Sequence, residues 1–420
     1  MQRHPVVLAA ALVLPTLASA ASAAEGGVQS LCYGRFKERV EVGSTDELRR
    51  ALEDARCGTE VVLARGTYDG EFTARGQCSA DRPLVVRAAE PQKAVLAGTL
   101  KTQGRHIVVA GLEVDGGEIL VTGDSTRVTR NRFLTSGNSL TLRGGGSGNR
   151  VDHNEVATPG GAGIDVALKL SGKDKRQARD NLFDHNLFRS SGGGRGRAGE
   201  MDDDGDRDPS VGLYLGQFSA RKGREDMIEY GRTNTVVEQN LFLDFEKQNA
   251  IHIKSLGNIV RGNSFVDSRA SKRISKVTIR SGLHNEIAAN YMDGTTGLRI
   301  FEEKNRAVRN VLRNGAELDV MSGGGETTQF GGPQQRQADE TVVAGNSGPL
   351  KVGKRNPGDR GKQPARGTVV EAHDGPVERD LEEGTVVRAS TSVPAIPARK
   401  LGLEDVGLSA PDPRCAAPTQ

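Results

Sequence analysis

Two stretches of this chain, AIHIKSLGN (250–258) and VTIRSGLHN (277–285), each follow an alternating apolar pair with a cation and end on asparagine. In a strand, side chains two apart share a face. Ile251 and Ile253 therefore point one way and His252 and Lys254 the other; one repeat later Val277 and Ile279 oppose Thr278 and Arg280. Extending the grid, Val211, Leu213 and Leu215 leave Tyr214 and Gly216 outward, and Leu298 and Ile300 leave Arg299 and Phe301 outward. If these strands stack at the usual spacing of about 4.8 Å, one outward column reads Tyr214, His252, Thr278, Arg299. Its neighbour reads Gly216, Lys254, Arg280, Phe301, with the glycine leaving room beside Lys254. The result is a shallow face lined with cations and an aromatic at each end, on which a polyanionic chain would lie well. A lysine among other cations gives up its proton more readily and becomes a candidate base, while arginine stays charged. The same pattern also fits ordinary solvated charges on an exposed strand face.

A repeated corner has to hold such strands in register. Asparagine, an apolar centre and a second asparagine five residues on recur as NRVDHN (149–154), NLFDHN (181–186), NIVRGN (258–263), NEIAAN (285–290) and NRAVRN (305–310). NTVVEQN (234–240) carries one extra residue. An aromatic often follows two positions later, as in Asn131/Phe133, Asn186/Phe188, Asn240/Phe242 and Asn263/Phe265. Repeats with a period of roughly 20 to 30 residues mean a solenoid. Asparagines at a fixed turn position can stack into a ladder that satisfies backbone groups at each corner. The pattern predicts an all-β fold, a right-handed parallel β-helix. A β-propeller would need longer, four-stranded units.

Composition agrees. The 420 residues include 54 glycines and no tryptophan, with 4% aromatics and 35% hydrophobic residues. A globular core of this size would use more aromatic bulk, whereas short rungs of Val, Ile and Leu need little. A net charge of +3 is too small to imply nucleic acid as a partner. Arg3 and His4, an apolar run from Val6 to Leu17 and the small residues Ala21-Ser22-Ala23 read as a cleaved signal peptide over 1–24. That run is shorter than the roughly 20 apolar residues a bilayer span needs. The expectation is therefore a secreted or periplasmic protein with no membrane partner. Four cysteines suit an oxidising compartment. Cys57 and Cys78 flank one candidate strand and are paired here, which leaves Cys32 and Cys415 to tie the chain ends; free thiols are the alternative.

Ser44-Thr45-Asp46-Glu47 is a capping box, followed by Leu48, Ala51, Leu52 and Ala55 at helical spacing. This short helix is the natural cap for the open first rung. Ser190–Arg207 breaks the repeat as a glycine-rich, then acidic, loop. From about Gly345 the chain turns rich in Pro, Gly and charge. The β-helix is thus expected over 25–345, with an irregular segment over 346–420 whose last part, Ala398–Gly407, lies back on the body.

The segment VGSTDELRRALEDARCGTEVVLARGTYDG (42–70) resembles the N-terminal signature of polysaccharide lyase family 6, which contains alginate lyases and chondroitinase B. The same order continues through DRPLVVRAAEP (81–91), GRHIVVAGLEVDGG (104–117), NRVDHNEV (149–156) and VVEQNLFLDFEKQNAIHIKSLGNIVRGNSF (236–265). The resemblance covers roughly residues 42 to 310 and implies the β-helix together with β-elimination at a 4-linked uronic acid. In that family a calcium ion neutralises the substrate carboxylate, a lysine abstracts the C5 proton and an arginine assists the leaving oxygen. The lysine falls on Lys254 and the arginine on Arg280. His252, Tyr214 and Arg299 become candidate substrate contacts. Some members carry histidine after the arginine; Ser281 stands there in this chain.

The calcium site departs from the family. Two glutamate ligands fall on Lys247 and Asn249, and a third ligand falls on Asp208 across the Ser190–Arg207 insertion. An ammonium cannot ligate calcium, and hard cations want several oxygen donors. Lys247, paired to Asp208 or Glu246, is then expected to neutralise the substrate carboxylate itself, with no cofactor. A decayed site that only binds glycan is the alternative. The acidic run EMDDDGDRD (200–208) lacks the spacing of an EF-hand loop and reads as solvated. His284, beside the Asn285 corner, reads as a turn residue.

The reading is a lyase acting on alginate or a related uronate polymer, with Lys254 as base, Arg280 as acid, and Lys247, Asn249, His252, Tyr214, Arg299 and Asp208 against the substrate. Its rivals are a non-catalytic glycan-binding or adhesion β-helix and a uronate C5-epimerase.

Overall fold

The computed structural model describes residues 36–134, 140–143, 146–158, 164–166, 178–190, 211–216, 218–221, 224–245, 249–268, 276–294, 297–322, 338–355, 364–380, 382–388 and 398–409. The leader, Cys32, Cys415, Asp208 and Lys247 lie outside them. Among the described residues three long parallel sheets of 14, 10 and 12 strands wind into a right-handed parallel β-helix, which excludes the propeller. Each coil passes through sheet A, sheet B and sheet C in turn, as in Thr59–Leu63, Gly66–Tyr68 and Glu71–Gln77. Inward positions stack into continuous rows. Phe133, Val156, Phe188, Phe242, Phe265, Met292 and Leu312 form that of sheet B, all buried. Within it, the rings of Phe188, Phe242 and Phe265 lie parallel at 4.5 and 4.8 Å.

Asparagine makes the corners. Between sheets A and B, Asn131, Asn154, Asn186, Asn240, Asn263, Asn290, Asn310 and Asn346 form one unbroken ladder. In each step the backbone N–H and the Nδ2 of one residue donate to the Oδ1 of the next, at 2.8–3.1 Å. A second, shorter ladder between sheets C and A runs Asn258, Asn285, Asn305. The residue before each ladder position bends the chain in a left-handed conformation, His153, His185 and His284 included. His284 is thus a turn residue and exposed. The extra residue of NTVVEQN is explained in the same way. Asn234 takes the left-handed position and Thr235 stands in the ladder, its N–H donating to Asn258 Oδ1 at 3.0 Å.

The helix Thr45–Asp54 meets strands of all three faces of the first coil and buries Leu48 and Leu52 in the common core. Ser44 Oγ accepts from the Glu47 N–H at 3.3 Å, but the Glu47 carboxylate returns to the Gly43 N–H at 2.7 Å and not to Ser44. Cys57 and Cys78 form a disulfide, with Cα atoms 5.2 Å apart.

The irregular segment expected beyond residue 345 is corrected. Leu350–Arg355 and Val377–Arg379 extend sheet C, and Val369–Glu371 and Val386–Arg388 extend sheet A. The prolines sit just before strands, in GPLKV (348–352) and GPVER (375–379), where the same corner recurs one coil apart. The Leu350 N–H donates to Pro376 O at 3.0 Å, and the charged residues face outward. Sheet B proper stops at Val311–Arg313; in these last coils its face continues only as single parallel bridges, Val311 to Ser347 and Ser347 to Asp374, while Ala365–Arg366 pairs with Glu382–Glu383 between sheets C and A. Residues 398–409 then return along the outer face of sheet B. Leu401 and Val406 pack on Leu187 and Leu241, the Leu401 N–H donates to Ser264 Oγ (2.7 Å) and the Gly407 N–H to His185 O (2.8 Å).

Asn263→Ala removes the acceptor for two buried donors of Asn240. It should lower unfolding free energy by about 3 kcal/mol or more, since each orphaned buried group costs roughly 1–3. Urea denaturation followed by circular dichroism measures this, and an unchanged midpoint would refute a structural role for the ladder.

Candidate active site

The first outward column of sheet C has the predicted register. Tyr214 pairs with His252, His252 with Thr278 and Thr278 with Arg299. The second column does not. Ile253 pairs with Ile279 but Lys254 pairs with Ser281, so Arg280 is an extra residue in its strand, a β-bulge. A compensating irregularity leaves Ala250 as the extra residue on the other strand. Bulges bend a strand and re-aim its side chains. Here the two cations lie against different rings: Lys254 Nζ is 5.7 Å from the Tyr214 ring centre, and Arg280 Cζ is 5.1 Å from that of Phe301.

The face is also less open than the alternation implied. Lys254 is 2% exposed, and His252 and Thr278 are buried, while Tyr214, Arg280 and Arg299 are half-buried. Alternation assigns a face, not its solvent access. The His252 ring leans on Tyr214, with centres 5.2 Å apart. Asn249 Oδ1 accepts from the Thr278 hydroxyl at 2.9 Å.

The backbone behind Lys254 is fixed by the second corner. Ser255 Oγ donates to Leu215 O (2.9 Å) and accepts from Asn258 Nδ2 (3.0 Å), which itself continues the ladder to Asn285. Gly216, at φ +83°, takes the left-handed turn that closes the preceding strand. Gly282, at φ +113°, brings its coil so close that a Cβ there would stand 2.1 Å from Ser255 O.

Beyond Arg299 an ion-pair network continues on the same face. Arg299 Nε and Nη2 both donate to Asp319 Oδ2, at 3.3 and 3.2 Å. Lys354 Nζ donates to the same oxygen at 2.7 Å and to Glu317 Oε1 at 2.9 Å. Burial pushes the Glu317 carboxyl up, but the Lys354 hydrogen bond and the charges of Lys354 and Lys351 outweigh it and hold Glu317 below its ordinary value. Glu317 in turn raises Lys351. Asp319 was missed in the sequence, although LDV (318–320) continues the same alternation and places it beside Arg299.

Among the described residues no three His, Cys, Asp or Glu side chains gather as metal ligands. The Asn249 oxygen already accepts from Thr278, and lysine occupies position 247. Lys247 and Asp208 fall outside the described residues, so no geometry joins them to Lys254.

No family model and no curated protein matches the sequence. Solved structures do match. A mannuronic-acid-specific polysaccharide family 6 lyase from human gut microbiota aligns with a TM-score of 0.59 at 20% identity, over 82% of each chain. A PL6-family polysaccharide lyase from Pseudopedobacter saltans aligns at 0.58 and 14% identity, over 89% of this chain and all of that one. A PL6 alginate lyase solved with a trisaccharide aligns at 0.61 and 13% identity, over 90% of this chain and 97% of its own. At these identities the likeness is one of fold: this chain has the parallel β-helix of the PL6 lyases.

Gly282→Ala combines a left-handed backbone with a clash against Ser255 O. A loss of about 1–3 kcal/mol is expected, and differential scanning calorimetry should record it as a melting point several degrees lower.

Proposed function

We propose that this protein is a polysaccharide lyase of the PL6 type that cleaves a 4-linked uronate polymer, alginate foremost, by β-elimination. The observation that carries the reading is the placement of Lys254 and Arg280 on adjacent coils of one sheet face. The resemblance assigns the base to Lys254 and the acid to Arg280, and Tyr214, His252 and Arg299 stand around them. A uronate C5–H is a poor acid until its carboxylate is neutralised by cations or hydrogen-bond donors. In the proposed reaction Lys254 Nζ takes the C5 proton, the C4–O4 bond breaks, and the electron pair of the C–H bond becomes the C4=C5 double bond. Arg280 donates hydrogen bonds to the leaving O4, which takes its proton from solvent, and Lys254 returns the C5 proton to solvent. Tyr214, His252 and Arg299 hold the sugar.

Calcium is left out of this scheme because Lys247 and Asn249 stand where the resemblance places two glutamate ligands. The proposal assigns carboxylate neutralisation to Lys247, on residue type alone. The fold of the PL6 lyases and the basic face support a polyanionic carbohydrate as the substrate class. A secreted location is proposed from the leader sequence. One observation favours a second reading, a non-catalytic glycan-binding β-helix: the near-complete burial of Lys254.

Lysates of uronate polymers discriminate at once, since a lyase leaves an unsaturated product absorbing in the near ultraviolet, a binder leaves the polymer intact and an epimerase changes its composition without cleavage. Purified protein should cleave alginate, its homopolymer blocks, chondroitin or dermatan sulfate. Lys254→Ala should cut turnover at least about 100-fold, the low end of what a general base contributes, with the melting point little changed. Arg280→Ala should be as damaging, and Arg280→Lys should restore little, because lysine lacks the planar fork. Near-normal turnover in Lys254→Ala would eliminate the base assignment.

Exhaustive chelation should leave activity intact, whereas Lys247→Ala should lower it by about two orders of magnitude if that ammonium replaces the ion's electrostatic stabilisation. Loss on chelation with recovery on added calcium would sink the metal-free scheme while leaving the lyase reading in place.

A further inference from the structure

Arg299 is gripped along one edge. Its Nε and Nη2 both donate to Asp319 Oδ2, at 3.3 and 3.2 Å, and its Cζ lies 5.9 Å from the centre of the Phe301 ring. A guanidinium is a planar fork, so spending the Nε–Nη2 edge on a carboxylate fixes the plane and turns the Nη1 end away from that carboxylate. Asp319 pairs with Arg299 across sheet C, one coil on, and is 2% exposed. A buried carboxylate needs cations or donors around it, and a second irregularity supplies one. Val352 pairs with Val320 but Lys354 with Met321, so Gly353, at φ +75°, is an extra residue in its strand. Glycine in the left-handed conformation is what such a bulge uses. Strict alternation from Lys351 would turn Lys354 inward. The bulge turns it outward, and its Nζ reaches Asp319 Oδ2 at 2.7 Å and Glu317 Oε1 at 2.9 Å. Lys351 stands opposite Asp319 in the register but goes to Glu317 and Glu378, at 3.6 and 3.5 Å. Charges thus alternate along sheet C from Arg299 through Asp319, Lys354, Glu317 and Lys351 to Glu378, over four successive coils. The cationic end lies on the sheet face that carries Lys254 and Arg280, the anionic end on the last strand of that sheet.

We propose that Asp319, braced in turn by the bulge-set Lys354, is a positioning residue that holds the Arg299 guanidinium in the orientation in which it meets an anionic sugar. The proposal rests on the lyase reading for the sugar, but the placement of Arg299 by Asp319 does not. Two roles for this carboxylate make opposite predictions. As an anion beside a face that binds a polyanion it would weaken binding, and its removal would help. As the brace of an arginine that meets the sugar it would strengthen binding, and its removal would hurt. Burial and geometry favour the brace, because a carboxylate placed to repel would face solvent, whereas Asp319 gives one oxygen to two cations beneath the surface.

The test uses the full-length protein with Asp319→Ala, Asp319→Asn, Lys354→Met and Arg299→Ala, and the double variant that joins Asp319→Ala to Arg299→Ala. Crystal structures of the wild type and Asp319→Ala, with melting points for all variants, read the placement directly. The Arg299 guanidinium should leave its wild-type orientation in Asp319→Ala. On alginate, or whichever uronate polymer the wild type cleaves, Asp319→Ala should raise KM about tenfold with kcat changed much less, even though it strips a negative charge from a basic face. Lys354→Met, which keeps the brace but loosens it, should raise KM about threefold. In the Arg299→Ala background Asp319→Ala should raise KM no further, because the group it positions is gone; a merely structural role would give independent losses. If Asp319→Ala fails to fold, Asp319→Asn, nearly isosteric and with one oxygen left for two cations, carries the same comparison in the same direction. A KM that falls or stays level on loss of the carboxylate overturns the proposal. An Arg299 side chain unmoved in Asp319→Ala overturns it whether or not the protein is an enzyme. Wild-type protein that cleaves no uronate polymer, with Arg299 displaced in Asp319→Ala, overturns the lyase reading and leaves the positioning role standing.

Discussion

Everything in this molecule depends on how the chain turns its corners. A coil that closes in some two dozen residues must bend sharply at each sheet junction, and each bend withdraws backbone N–H and C=O groups from any strand partner. In a buried corner those groups have to be satisfied from within. The asparagine carboxamide does this for its own coil and the next, accepting from one backbone N–H while its Nδ2 donates to a carbonyl and to the following asparagine. Eight successive asparagines at the junction of sheets A and B fix the rise and the rotational register of the coils together. With both fixed at the corner, the strands between have little freedom to slip, and outward side chains from different coils fall into columns.

That rigidity is what allows a local irregularity to be useful. The strands Asn249–Lys254 and Lys276–Ser281 depart from strict pairing at both ends, yet the corners on either side keep their ladders. The disturbance is therefore confined to a few residues and expressed as a change of side-chain direction. Ser255 shows the coupling at closest range: it follows Lys254 in the chain and shares its hydroxyl with the corner asparagine and the preceding coil. A lysine and an arginine on neighbouring coils thus come to lie against rings on opposite sides, Tyr214 and Phe301, within an otherwise regular sheet.

The spacing of asparagines and the two-residue alternation made the coil, the corner and one column of the site legible in the sequence, because both are strictly periodic. Tyr214, His252, Thr278 and Arg299 line up as the alternation requires. The bulge at Arg280 was not legible, since alternation within a strand is blind to an extra residue in its pairing. The burial of Lys254 was not legible either, because solvent access depends on what lies over the sheet. The last coils were misread for a different reason. Gly348-Pro349 and Gly375-Pro376 look like loop punctuation until their recurrence at coil spacing is noticed, and the outward charges of Val377–Arg379 mask how little apolar surface a narrow coil needs. NTVVEQN misled by one position, for the asparagine in view was the left-handed residue and the ladder member beside it was a threonine.

A stack of coils is nearly one-dimensional, and such a body ordinarily frays from its ends, each unit knowing only its neighbours. The returning segment 398–409 changes the topology of that process. It touches the coil of Tyr291 through Lys400, that of Ser264 through Leu401, that of His185 through Gly407 and that of Arg130 through Leu408, so one short piece of backbone spans coils that have no contact with one another. The last described residues of the chain can settle only after the middle of the solenoid exists, and once settled they tie the coils between Arg130 and Tyr291 to one another. The coils between Arg130 and Tyr291 are thereby coupled beyond nearest neighbours, and those that carry Lys254 and Arg280 sit inside the clasp.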